Sequence, residues 1–231
     1  MSETGEFGMT LITRIATHWI RAAALLLAAA AAPYAAAQTT VSADELRAGR
    51  DYRAIDPAQP TSTEAGQVEV AEVFQYSCPA CFRAEPLLEQ WKAQKADYVN
   101  FVRIPAPWGA LSELHARAYY TAEALGKLDE MHQAFFNEIH VNRNMLDSEA
   151  KLADFFGRFG VDAETFRKTF SSFSIHTKVQ RANDLIGRYR VLATPNIVVD
   201  GKYVTDGSMA GSYDRWFAII DALAEREQQS Q

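Results

Sequence analysis

Val68-Glu69-Val70-Ala71-Glu72-Val73-Phe74-Gln75-Tyr76-Ser77-Cys78-Pro79-Ala80-Cys81-Phe82 decides the architecture. β-Branched and aromatic residues dominate from Val68 to Tyr76, which predicts a strand. The strand runs straight into a Cys-X-X-Cys pair, after which Phe82, Leu87, Leu88 and Trp91 fall at helical spacing. Pro79 suits the first helical turn, where its missing N–H removes no bond, whereas Pro86 falls inside the helix and predicts a kink. A second strand is expected from Tyr98 to Ile104, stopped by Pro105-Ala106-Pro107-Trp108-Gly109. Strand, helix and strand in this order make a βαβ unit.

Downstream, from Ser112 to about Tyr189, apolar residues keep helical spacing in segments separated by Gly126, by 142–147, by Gly160-Val161 and by 171–174. The β pattern returns at Asn196 to Val199. Asp200-Gly201 then supplies the positive φ angles of a tight hairpin turn, and Tyr203-Val204 opens the return strand. Tyr213, Trp216, Phe217, Ile220, Leu223 and Ala224 form one stripe of a last helix, expected from Tyr213 to Glu227. The class is α/β, with an all-helical block set into it.

The N-terminus has the layout of a secretory signal peptide over residues 1–37. Arg14 and Arg21 form a basic region, Ala22 to Ala32 is an apolar run too short for the ~20 residues that span a bilayer, and Ala35-Ala36-Ala37 offers small-x-small cleavage before Gln38. An uncleaved anchor is the competing reading. Glu3 and Glu6 are out of place in a basic leader, so translation is expected to start at Met9. The chain has 231 residues, 48% hydrophobic, and its net charge of −6 is the same with or without the leader. Such a chain builds a sizeable core, and its acidic balance argues against nucleic acid as the main partner. Residues 38–66, with Pro57 and Pro60, read as a polar arm.

The chain holds two cysteines, Cys78 and Cys81. In an exported protein they are expected to cycle between dithiol and disulfide. A structural disulfide competes, but so short a loop removes little unfolded-chain entropy. A zinc half-site would need two more ligands, and His115, His132, His140 and His176 are spread through the helical block like ordinary helix residues. At a helix N-terminus the Cys78 sulfur meets unpaired N–H groups and the positive end of the macrodipole, which lowers its pKa. Cys78 is therefore the exposed sulfur that is attacked and Cys81 the shielded, resolving one. Glu72 alternates with Val68, Val70, Phe74 and Tyr76, so it points toward an apolar layer, where desolvation raises a carboxylate pKa. A Glu reaching solvent at a strand edge is the alternative. Trp108, Tyr119, Tyr120, Phe135 and Phe136 serve either the core or a substrate groove, and core packing fits most of them better.

The stretch from Glu72 to Cys81, the helical block, and Ala193-Thr194-Pro195-Asn196 before a hairpin together resemble the DsbA family of the thioredoxin-like superfamily. The resemblance covers nearly the whole mature chain. It implies a thioredoxin-like fold at 67–110 and 190–231 with an all-helical insertion at 111–189. It also implies a periplasmic, monomeric oxidase that needs no cofactor or metal and gives disulfides to reduced or unfolded exported polypeptides. A DsbB-type quinone-linked membrane oxidoreductase would reoxidise it. The resemblance further implies that Pro195 is cis beside the cysteines, that Thr194, Pro79 and Ala80 border the substrate, and that Glu72 helps move the proton of the buried cysteine. Ala80 departs from the pattern: many relatives carry His there, and its absence implies a milder oxidant. A DsbC-type isomerase or a reductase would use the same cysteines, but residues 38–65 are too few for an N-terminal dimerisation domain. A non-catalytic chaperone of the same fold would not need the intact pair.

Overall fold

Five strands build one mixed sheet, in the order β1 (Arg53–Ala54), β5 (Tyr203–Thr205), β4 (Asn196–Val199), β2 (Val68–Phe74), β3 (Val99–Pro105). This is a computed structural model and describes residues 41–231. The expected signal peptide, its cleavage point and the start at Met9 lie outside the described residues. β2 and β3 run parallel, joined through α1 (Pro79–Gln94), and all the other pairings are antiparallel. Every residue of β2 is buried, because helices cover both faces of the sheet. On one face Val68 and Val70 meet Leu88 and Trp91 of α1 and Trp216, Ile220 and Leu223 of the last helix. On the other, Ala71 and Val73 meet Ala182, Ile186 and Tyr189. Each fully buried Val, Leu or Ile among them contributes about 1.5–3 kcal/mol relative to exposure.

The helical block consists of α2 (Ala110–Ala124), α3 (Leu128–His140), α4 (Glu149–Gly157), α5 (Ala163–Phe170) and α6 (Phe173–Tyr189). Ser148, Asp162 and Ser172 cap the last three with side-chain oxygens that accept backbone N–H groups. α6 carries Ala182, Ile186 and Tyr189 and so belongs to the sheet's cover. Phe74, the last residue of β2, and Tyr76 just beyond it enter a separate core with Tyr119, Phe135, Phe136 and Phe156. The aromatics Tyr119, Phe135 and Phe136 are thus core residues.

After β5 come a short helix α7 (Gly207–Ala210) and the long α8 (Tyr213–Gln229). The hairpin turn has Asp200 at φ 48 and Gly201 at φ 62. Gly201 is required on a second count: a Cβ there would strike the carbonyl of Gln59, whose N–H donates to Gly201 O at 2.9 Å. The polar arm is more than a leader into the domain. It supplies β1, too short to show an alternating pattern, and Asp51, fully buried. The Arg50 guanidinium, helped by the Arg47 N–H and Arg215, holds Asp51 down at about 2. α1 continues through Pro86 to Gln94 and does not end there.

Candidate active site

Cys78 is the N-cap of α1, with Pro79 in the first turn. Its Sγ accepts the Cys81 N–H at 3.3 Å and lies 3.4 Å from the Thr194 carbonyl. Both cysteines are free thiols, Cys78 partly exposed and Cys81 buried. The Cys81 thiol, the Thr194 hydroxyl and the backbone N–H groups of Cys81 and Ala80 together pull Cys78 from 9.0 down to about 5, against the opposing effect of burial. Burial, the adjacent Cys78 and Glu72 push Cys81 far up. The two thiols are chemically opposite although one helical turn apart. The Thr194-Pro195 bond is cis, as is Asp56-Pro57. Ala80, Thr194, Pro195, Asn196, Tyr213 and Trp216 border an open cleft of about 470 Å³ beside the sulfur.

Glu72 is fully buried and does not reach solvent. Its layer is not purely apolar, however. Arg103 stands opposite it in the parallel register of β2 and β3, and Arg103 Nε donates to Glu72 Oε2 at 3.0 Å. The same guanidinium donates through Nη2 to Glu85 Oε1 and to Glu89 Oε1, each at 2.7 Å. Desolvation pushes Glu72 up to about 7 although Arg103 opposes it. A carboxyl pushed up to about 7 is therefore close enough to Cys81 for its charge to bear on that thiol.

Comparison with known proteins agrees with this geometry. The family described as DSBA-like thioredoxin domain matches residues 108–224. The thiol:disulfide interchange protein DsbA of Pseudomonas aeruginosa is 35% identical over 185 residues, 80% of this chain and 87% of that one. The protein of the same name from Azotobacter vinelandii is 31% identical over 192 residues, 83% and 89% of the two chains. The crystal structure of Pseudomonas aeruginosa DsbA superposes with a TM-score of 0.77 at 34% identity, over 82% of this chain and 98% of that one. The chain belongs to the DsbA family. Thiol:disulfide oxidoreductase chemistry and a thioredoxin-like fold with added helices come with that membership.

Within this DsbA-family site, three residues escaped the reading of the sequence: Arg103, Glu85 and His132. The histidines are not spread like ordinary helix residues. His115, His132 and His140 gather around Tyr76: His132 Nδ1 is 2.8 Å from the Tyr76 hydroxyl, His140 Nε2 donates to the Tyr76 carbonyl at 2.8 Å, and His115 packs edge-on at 6.3 Å between ring centroids. His140 also stacks on Phe82, one residue after Cys81. Gln75 Nε2 bonds Ala106 O and Ser112 Oγ. Side chains of the helical block thereby fix the strand–helix junction that presents Cys78. No cluster of His, Cys, Asp or Glu with metal-holding geometry occurs among the described residues, and no helix there is long and apolar enough to cross a membrane.

Proposed function

We propose that the protein is a periplasmic dithiol oxidase that gives its Cys78–Cys81 disulfide to newly exported polypeptides. The observation that carries this reading is the asymmetry of the pair: Cys78 is held near 5 and Cys81 far above its ordinary value. A substrate thiolate attacks Cys78 Sγ, the bond between Cys78 and Cys81 breaks, and Cys81 leaves with the electron pair. Buried as it is, the Cys81 thiolate takes a proton, and Glu72 is the donor. A second substrate thiolate then attacks the substrate sulfur of the mixed disulfide and expels Cys78 as a stabilised thiolate. The substrate loses two electrons and two thiol protons; the enzyme gains the electrons.

Thr194-Pro195 with Pro79 and Ala80 borders the substrate, an extended segment lying in the adjoining cleft. Residues 67–110 and 190–231 carry the chemistry, and residues 111–189 cover and orient the junction. The signal peptide at 1–37 directs export, the enzyme works as a monomer, and a DsbB-type quinone-linked membrane protein restores the disulfide. Among the residues that border the sulfur, Ala80 offers the Cys78 thiolate a backbone N–H but no side-chain charge or hydrogen bond.

Mixing the oxidised protein with a reduced, unfolded polypeptide of two cysteines tests the reading. One substrate disulfide is expected per enzyme pair consumed, counted by mass spectrometry after acid quench. A polypeptide still reduced while the enzyme pair stays oxidised would overturn it.

A further inference from the structure

Two buried carboxylates, Glu72 and Glu85, share one guanidinium beneath the cysteines, with side chains 0% and 1% exposed. Glu89, the third partner of Arg103, lies at the rim and also pairs with Lys92 at 2.7 Å. Two full negative charges against one buried cation are unfavourable in a dry interior, and burial pushes Glu72 up to about 7, so the cluster keeps a proton into the neutral range. Which carboxyl holds that proton decides whether Cys81 can use it. The neighbour that distinguishes the two is His132.

His132, on α3, is buried, and its Nδ1 faces the Tyr76 hydroxyl at 2.8 Å. That phenol is equally buried, and burial keeps it protonated by raising its pKa well above the ordinary value. The hydroxyl has no other acceptor among the described residues, so its hydrogen is assigned to Nδ1, which leaves the neutral ring's proton on Nε2. Nε2 has no hydrogen-bond partner among the described residues, and the nearest carboxylate oxygen is Glu85 Oε1 at 3.3 Å, in reach but not well aligned. Glu72 Oε1 has no hydrogen-bond donor among the described residues. Glu85 Oε2 likewise has none there, so the 3.3 Å approach of Nε2 to Glu85 Oε1 is what distinguishes the two carboxyls.

We propose that His132 is a positioning residue for proton transfer at Glu72: with its tautomer set by Tyr76, it faces Glu85 with an N–H and leaves the shared proton on Glu72. The inference rests on the reading of Glu72 as the proton donor. Every element packed on the cluster contributes to the charge balance: Arg103 from β3, Cys81, Glu85 and Glu89 from α1, Tyr119 from α2, His132 from α3, and Tyr76 beyond β2. Among these His132 is the neutral donor whose loss changes the sharing without changing the charge.

The test is the pH dependence of Glu72, followed by carboxyl ¹³C chemical shift in the reduced protein and by the single-turnover rate of oxidising a model dithiol. His132→Phe keeps an aromatic ring between Phe74 and Phe136 but removes both nitrogens. With that N–H gone the proton is held less exclusively on Glu72, so the Glu72 midpoint is expected to fall by about one unit, roughly tenfold in proton affinity. His132→Gln, which restores an N–H, should recover much of that shift. Tyr76→Phe removes only the group that sets the tautomer, and it should lower the midpoint in the same direction even if His132→Phe does not fold. A slower rate with the Glu72 midpoint unmoved in the folded variants would make His132 a packing residue and overturn the proposal. Glu72→Gln separates the role of Glu72 from that of His132. If it leaves the pH limb of the rate intact, the reading of Glu72 fails. If it abolishes the limb while the His132 and Tyr76 variants do not move it, the inference about His132 alone fails.

Discussion

Replacing Cys81 by Ser is expected to turn the protein into a trap: Cys78 attacks a disulfide-bearing polypeptide, and the mixed disulfide accumulates because no internal thiol resolves it. Cys78→Ser should form such an adduct far more slowly. The physical ground is the difference between the two sulfurs. Cys78 is partly exposed and held at about 5, so it is thiolate throughout the neutral range. Cys81 is fully buried, and burial disfavours its thiolate. Since the thiolate is the nucleophile, adduct formation by the Cys78→Ser protein should be more than ~100-fold slower. Non-reducing electrophoresis with mass mapping of the linked cysteine reads the result. An adduct through Cys81 in the Cys78→Ser protein would reverse the assigned roles.

Glu72→Gln should slow exchange and stabilise the fold at the same time. Glu72 rises from 4.5 in its ordinary setting to about 7 in the fold. A raised carboxyl contributes stability that is fully present below about pH 4.5 and is lost as the pH climbs through 7, because the native state then has to ionise a buried group. Above pH 7 the wild-type protein therefore carries a cost of about 3 kcal/mol at ~1.4 kcal/mol per unit. Gln does not ionise, and Arg103 still has Glu85 and Glu89. Urea titrations should find the variant more stable by up to about 3 kcal/mol at pH 8 and nearly equal to wild type at pH 4.5. If Glu72 supplies the proton to Cys81 as proposed, its loss should cost roughly 100-fold in the single-turnover rate. Equal stability at both pH values together with an unchanged rate would reduce Glu72 to a filler of its layer.

These two variants probe parts of the site that differ in how far the sequence discloses them. The junction at Cys78 is legible because everything that makes it is local: a β-rich run, a cysteine pair and a proline within one turn. The hairpin is legible for the same reason, since Asp200-Gly201 is itself the turn. Glu72 is half legible. Its alternation with Val70 and Phe74 announces a buried carboxylate, and a buried carboxylate asks for a cation. Arg103 alternates with Phe101 and Val99 on the next strand, so the partner could have been found by writing the two strands in parallel register.

Glu85 and His132 offer no such handle. They come from helices whose rotation and packing fix which residues face inward, and spacing along the chain does not show that His132 of α3 meets Glu85 of α1. The histidines look scattered because the block that carries them folds back on Tyr76 from several directions. β1 is hidden for another reason: two residues cannot display a period, and its pairing with β5 spans almost the length of the domain.

The central claim is that stabilising the Cys78 thiolate favours the reduced pair and so makes the disulfide an oxidant. Equilibration of the pair with glutathione redox buffers at pH 7, trapped by acid and scored by mass, tests it most directly. The account predicts that the Cys78/Cys81 pair stays reduced until oxidised glutathione is in clear excess, with a potential well above the roughly −270 mV of thioredoxin. A pair that becomes oxidised in buffers where reduced glutathione predominates, with a potential at or below that of thioredoxin, would contradict it.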